Sequence, residues 1–406
     1  MNGEEAKNFY KKGVGIGIAI GALSVLLLCG ILFGIVASRQ REKIVESNRA
    51  SLSLGSDVTE KINLLINLAD TYFLYDYDKD EMADNLYKAV MNSLNDKYSV
   101  YYTPEEYAKL TESTEGVFYG IGTVVTKDED TGYIRIVQVY EDSPADKAGI
   151  KDEDLITAVD GSTVKDMDLD MAIDMIRGEE GTTVTVTVMR GDEVMDVDIE
   201  RGKIDIVTVS SEMLDNDIGY IQIAQFEGVT LNQFNEAFDE LNEQGMKGLI
   251  IDLRDNPGGR LDTVTEILDR LLPEGVIVYT EDKNGNRDEI KSDAECDLNI
   301  PCVVLVNGNS ASASEIFAGA MQDFGLGEIM GTQTFGKGIV QHIMGMEDGS
   351  AVKITVQNYY TPNGNNIHGI GITPDEVVEL DEEAYIQDGI DTQFDAAAEY
   401  IKGQIK

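Results

Sequence analysis

Three serines alternate with alanines in "NGNSASASEIFAGAMQDF", residues 307–324, directly ahead of an apolar run at helical spacing. A serine at such a junction can act as a nucleophile. It can equally start the helix: Ser312 and Glu315 fit the Ser-x-x-Glu capping box, with Ile316, Phe317, Ala320, Met321 and Phe324 as the apolar stripe behind them. Further along, "TFGKGIVQ" sets Lys337 between Gly336 and Gly338. A lysine serves as general base only as the free amine, which requires lowering its pKa from about 10.4 towards 7, at roughly 4–5 kcal/mol. Phe335, Ile339 and Val340 are the apolar neighbours able to impose that by burial, and Gln341 is a candidate to orient the amine. The competing reading is a solvated turn lysine. Four extended residues span about 13 Å, so Gln341 reaches Lys337 only if the chain bends, which Gly336 and Gly338 permit.

Two glycine turns complete the candidates. "DLRDNPGG", residues 252–259, leaves an apolar strand and enters a helix; Gly258 and Gly259 open the backbone there, and amides at such a junction can stabilise an oxyanion. "YGIG", Tyr119, Gly120, Ile121 and Gly122, heads a strand, where successive amides can converge on a carboxylate and an extended peptide can add along the strand edge. An ordinary loop and a tight turn are the competing readings. A Ser-His-Asp triad would have to use His342 or His368, the two histidines of the chain, and neither is well placed: His342 alternates away from Lys337 and Gln341, and His368 sits in a loop. No metal-ligand cluster stands out, so neither metal nor cofactor is expected.

These residues need elements to position them. Apolar residues from Val58 (Ile62, Leu65, Ile66, Ala69, Tyr72, Phe73) predict a helix; a second is predicted over Asp80–Leu94, and a third after Pro104. From Gly116 the texture turns to strands, "GVFYGIGTVVT", "GYIRIVQVY" and "TTVTVTVMR", with a short helical step at "SPADKAGI" and an amphipathic helix in "DLDMAIDMIRG". Beyond Gly202, strands and helices alternate through "GYIQIAQF", "KGLIIDLR", "LDTVTEILDRLL" and "PCVVLVN", broken by a hairpin at Asn284-Gly285. That order predicts an α/β domain with its strands between helices.

The chain of 406 residues has a formal charge of −43, 42% hydrophobic residues and no Trp. Residues 1–50 hold seven basic and four acidic side chains, a balance of +3, so the remainder carries −46. Such a surface repels phosphate backbones, which argues against nucleic acid as partner. Gly13–Ala37 contains no charged residue over 25 positions, longer at about 1.5 Å per residue than a bilayer core of about 30 Å, and predicts a membrane-spanning anchor. Leu28 before Cys29 is too bulky for a lipoprotein signal, and lysines and arginines flank the segment on both sides without orienting it. Gly17/Gly21 and Gly30/Gly34 have the spacing that lets two such helices meet, so a homodimer is among the expected partners. Cys296 and Cys302 are compatible with either a disulfide or two thiols.

Taken together, "YGIGTVV", "SPADKAGIKDEDLITAVDG", "IIDLRDNPGG", "VLVNGNSASASEIFAGAMQDF", "TFGKGIVQ" and "YYTPNGNNIHGIGITPD" occur in the order found in the carboxy-terminal processing peptidases, or tail-specific proteases, and from about Asp57 to its end the sequence resembles that family. The resemblance implies a multidomain α/β and α+β chain: an N-terminal tail (1–12), a transmembrane helix (13–37), a linker (38–56), a helical region (57–114), a PDZ-like module (115–201) and a serine peptidase domain (202–406) similar to the crotonase and Clp peptidase architecture. It implies Ser312 as nucleophile, second serine of "SASAS", with Lys337 as base, Gln341 as its partner, and an oxyanion hole from Ala313 with Gly258 favoured over Gly259. It also implies that Tyr119–Gly122 binds apolar C-termini of protein or peptide substrates, with the N-terminus cytoplasmic and the peptidase outside the cytoplasm. A catalytically inactive, membrane-tethered PDZ scaffold is the alternative.

Overall fold

The computed structural model describes residues 56–405; the expected anchor over 13–37 and its glycine pairs lie outside them. No helix among the described residues is long and apolar enough to cross a membrane. The described chain divides into two units between Glu81 and Met82. The first holds the helix Ser56–Tyr72, whose Leu65 and Tyr72, with Phe73 just beyond, are exposed, and a turn in which Asp70 accepts hydrogen bonds from Tyr77 and Lys79.

In the second unit, helix Pro104–Glu115 is entered through a complete capping box between Thr103 and Glu106 and closed by Gly116 in the left-handed region. There follows a β-structure: strands Thr123–Lys127, Ile134–Val139, Leu155–Val159, Thr183–Arg190 and Glu193–Glu200 form one sheet, with helix Leu169–Ile176 packed on it around Ile134, Ile136, Ile156, Val184, Val186 and Ile176. The alternation seen in "TTVTVTVMR" is realised as Val184, Val186 and Val188, all buried on one face. Val117–Gly120 does not join this sheet. It pairs antiparallel with Gly202–Asp205 instead.

The remaining chain is a three-layer α/β structure. Strands Ile218–Ile223, Gly248–Asp252, Cys302–Val306 and Glu328–Gly331 lie parallel and adjacent in that order. The two central strands are buried at every residue because helices cover both faces. Leu249, Ile251, Val304 and Val306 meet helices Thr230–Glu243, Leu261–Leu271 and Ala313–Phe324, while Ile250, Val303 and Leu305 meet Ala397 and Ile401 of helix Thr392–Gln404. A second sheet carries the long strand Ala351–Tyr360, flanked by Ile339–Gly345, by the hairpin Gly275–Asp282/Arg287–Ser292 and by Val100–Tyr102. Residues 100–102, read from sequence as part of a helical region, thus supply an edge strand.

Two consecutive parallel strands put their following loops side by side at their carboxyl ends. Here those loops are 253–260, after Gly248–Asp252, and 307–312, after Cys302–Val306. That topology, invisible to local pattern, brings the glycine turn to the serines.

Candidate active site

The alternate serines separate by what their hydroxyls do. Ser310 and Ser314 are both fully buried; their hydroxyls donate to the carbonyls of Leu253 (2.7 Å) and Asn256 (2.9 Å), stapling the two loops together. Ser312, between them, lines a cleft of about 700 Å³, and its hydroxyl is not spent on capping the helix. Only half of the anticipated capping box forms. The Ser312 N–H donates to Glu315 Oε2 at 2.9 Å, whereas the Glu315 N–H donates to the Ser312 carbonyl, 3.0 Å.

Ser312 has φ 57° and ψ −111°, a conformation that costs a non-glycine residue about 1–3 kcal/mol and persists only where surroundings impose it. The constraint is visible. Glu315 is completely buried, and its carboxylate accepts four hydrogen bonds: Oε1 from the Thr334 hydroxyl (2.6 Å) and the Gly336 N–H (2.7 Å), Oε2 from the N–H groups of Lys337 (2.8 Å) and Ser312. Four donors offset the burial of one charge, and they fix the serine loop to the lysine loop. On the other side the buried Tyr359 hydroxyl lies between the carbonyls of Ser312 and Lys337, and burial holds its proton well above the usual phenol range. Neither Glu315, read as a cap, nor Tyr359 had been singled out for this task. The acid within "SASASE" and the tyrosine pair of "YYTP" were the available signals.

Lys337 lines the same cleft, and its ammonium is pushed below the ordinary lysine range, first by burial and then by the charge of Lys353. Its nitrogen sits 5.0 Å from the centre of the Tyr98 ring. The glycines on either side are both needed here: Gly336 has φ 87°, and a side chain at Gly338 would meet the His368 backbone at 2.6 Å. No hydrogen bond joins the Ser312 and Lys337 side chains among the described residues. Gln341 also lines the cleft, but its amide donates to the Ile339 carbonyl at 3.4 Å rather than to the lysine. His342 and His368 are exposed and lie outside the cleft wall.

Gly258, Gly259 and Ala313 all border the cleft beside Ser312. A Cβ on Gly258 would lie 2.7 Å from that of Ser312. The Gly258 N–H, however, donates to Asn256 Oδ1 at 2.8 Å, and Asn256 is itself anchored by donating to the Ile223 carbonyl. Gly259 is pressed against Phe226, and the ladder there uses the Gly258 carbonyl and the Arg260 N–H, leaving the Gly259 N–H out of it. The Gly258 amide is thus engaged by Asn256, while that of Gly259 takes no part in the ladder.

A second, apolar cavity of about 270 Å³ lies between strand Thr123–Lys127 and helix Leu169–Ile176, lined by Phe118, Ile121, Val125, Ile173, Ile176 and Arg177 among others. Gly120 and Gly122 border it. Tyr119 does not, because alternation along its strand turns it away from the side on which Phe118 and Gly120 line the groove. Arg177, stacked 5.2 Å from the Phe118 ring, is a cation at this groove that the sequence reading passed over. Cys296 and Cys302 are free thiols, and burial pushes Cys302 up to about 12.

The pattern describing peptidase family S41 matches residues 217–378, and that of the PDZ domain matches residues 135–190. The carboxy-terminal processing protease CtpA of Bacillus subtilis is 38% identical over 336 residues, 82% of this chain and 72% of the relative. The chain belongs to peptidase family S41. Within that family it is also similar to a probable CtpA-like serine protease of Staphylococcus epidermidis, 33% identical over 88% of this chain and 72% of that one. The carboxyl-terminal-processing protease of Synechocystis is 35% identical over 78% of this chain and 76% of its own. The S41 match begins with the first parallel strand and runs through both loops and Tyr359, and the PDZ match holds helix Leu169–Ile176.

Proposed function

We propose that this S41 peptidase is a membrane-anchored serine endopeptidase that captures the apolar C-termini of protein substrates in its PDZ groove and cleaves peptide bonds with Ser312 and Lys337. The observation that carries this reading is that Ser312 is the one serine of three whose hydroxyl is not committed to the loop staple, and its backbone is tied through Glu315 to that of a lysine in the same cleft. In the step so supported, the Lys337 amine takes the proton from Ser312 Oγ as Oγ bonds to the carbonyl carbon of the substrate. The N–H groups of Ala313 and Gly259 receive the oxyanion, beside the positive end of helix Ala313–Phe324. The lysine then passes its proton to the leaving amine as the C–N bond breaks, and water, deprotonated by the same lysine, releases the acyl group. Substrate binding has to close the gap between hydroxyl and amine, which are not hydrogen-bonded here.

The PDZ groove suits the tail of an extended peptide: Thr123–Lys127 is the strand to which it would add, the wall is apolar, and Arg177 complements a carboxylate. The uncharged stretch Gly13–Ala37 is long enough to anchor the chain, with the peptidase on the extracytoplasmic side. The test is incubation of an unstructured protein bearing an apolar C-terminus with the full chain in vesicles, read by mass spectrometry beside Ser312→Ala. Cleavage by the parent protein alone supports the reading. Tight tail binding with no cleavage by either contradicts it and leaves a tethering scaffold.

A further inference from the structure

Lys353 stands in the same cleft as Ser312 and Lys337, on strand Ala351–Tyr360. Its register partner is Ile343, and Thr355, two residues on, is opposite Gln341; this places Lys353 on the sheet face that Gln341 and Ile343 present to the cleft. The ammonium lies 5.4 Å from the centre of the Tyr102 ring, and no acidic side chain among the described residues pairs with it. In a chain of net charge −43, a cation without a carboxylate in the wall of a cleft calls for a role. We propose that Lys353 is a positioning residue of the serine–lysine pair: its fixed charge, facing the same cleft, holds the Lys337 side chain in the amine form that can accept a proton.

The groups around Lys337 bear this out from each element packed against it. From Ala351–Tyr360 come Lys353, which opposes a second positive charge, and Tyr359, bound at the Lys337 carbonyl. The segment ahead of strand Val100–Tyr102 supplies Lys97, also opposing, and Tyr98, whose ring has Lys337 at 5.0 Å and Lys97 at 4.8 Å. Helix Ala313–Phe324 supplies Glu315, the one acidic group acting in the other direction, but its carboxylate is occupied by four donors. Asp96, next to Lys97, accepts from Ser99, Thr355 and the Tyr98 N–H and forms no ion pair with any of these lysines among the described residues. Lys97 is shared between the Tyr98 and Phe335 rings and lies outside the cleft wall, which leaves Lys353 as the opposing charge within it. Burial alone disfavours the ammonium; a like charge adds to the same effect.

This inference rests on the proposed role of Lys337, and its test separates the two. The rate of Ser312 acylation by a fluorophosphonate is followed against pH in the full chain for the parent, Lys353→Met, Lys353→Glu and Lys353→Arg, with Lys337→Ala as control. The midpoint of the alkaline rise is expected to move up by about half to one pH unit in Lys353→Met. It should move further in Lys353→Glu and stay near the parent value in Lys353→Arg. Should Lys353→Met fail to fold, Lys353→Gln against Lys353→Arg gives the same comparison. Unmoved midpoints in the neutral and acidic variants, with Lys337→Ala inactive, overturn the inference and leave the serine–lysine reading intact. A raised KM confined to substrates with acidic residues, again without a shift, overturns it in favour of a substrate-carboxylate site. Acylation persisting in Lys337→Ala would instead remove the reading on which it rests.

Discussion

Replacing Glu315 by Gln changes one oxygen of a buried carboxylate into an NH2 group, nearly isosteric, and so isolates the hydrogen bonding. All four acceptor positions are taken by donors, two on each oxygen. Whichever way the amide turns, one pair of donors, either Ser312 N–H with Lys337 N–H or Thr334 O–H with Gly336 N–H, faces another donor. Hydrogen bonds to a charged group contribute about 1.5–3 kcal/mol each, so losing two costs about 3–6 kcal/mol, shared between stability and the geometry of Ser312. At about 1.4 kcal/mol per tenfold, acylation should fall by at least about tenfold, and up to about 10²-fold, even if half of the cost appears as lower stability. The assay pairs fluorophosphonate labelling rate with urea unfolding. Labelling within about threefold of the parent, in a protein of unchanged stability, would refute the view that this carboxylate holds the strained serine in place.

Other outcomes follow from the same geometry. Because burial and Lys353 lower the Lys337 pKa, kcat/KM should rise with pH and level off before the range in which an ordinary lysine titrates; a rise centred on that ordinary range would contradict it. Glu227, which lines the cleft with one oxygen unpartnered, is raised by burial to about 7. A group raised in the folded state binds more protons there than in the unfolded chain, so its effect on stability is lost as pH climbs through about 7. Glu227→Gln should therefore leave the unfolding free energy from urea titration unchanged at pH 4 and raise it at pH 8, by at most roughly 3 kcal/mol, with equal shifts at both pH values counting against it. Gly259→Ala should unfold or inactivate the protein, because its φ is 144° and a Cβ would lie 2.0 Å from the Phe226 carbonyl oxygen; parent-like circular dichroism and activity would contradict that. Arg177→Glu should weaken binding of an apolar peptide with a free carboxylate about tenfold or more in calorimetry, yet barely change binding of the amidated peptide, and an equal loss for both would remove the carboxylate contact.

Local pattern reached much of this molecule. The alternating valines of 184–188 and the apolar runs 248–252 and 302–306 carried enough periodicity and length to read as half-buried and fully buried strands, and the "NG" hairpin at 284–285 formed with Gly285 at φ 78°. Pattern could not separate Ser310, Ser312 and Ser314, since their difference lies in carbonyls of a neighbouring parallel strand's loop more than 50 residues away. The family resemblance pointed to Ser312. The physical distinction appears only when those loops meet. Gly258 and Gly259 likewise look equivalent until Asn256 folds back on one amide, and Tyr119 falls on the far side of a strand whose Phe118 and Gly120 face the groove. Lys353 enters the cleft that Lys337 lines, and Tyr98 approaches the Lys337 nitrogen, through the packing of 100–102, 339–345 and 351–360, a set of non-local pairings to which neither helical nor strand periodicity is sensitive.

The central claim, that Ser312 is the nucleophile and Lys337 its base, is tested most directly by labelling the full chain with a fluorophosphonate and mapping the modified residue by peptide mass spectrometry, in the parent and in Lys337→Ala. The account predicts a single adduct on Ser312, formed faster as pH rises, and lost in the lysine variant. An adduct on another serine, or undiminished labelling of Ser312 without Lys337, would contradict it.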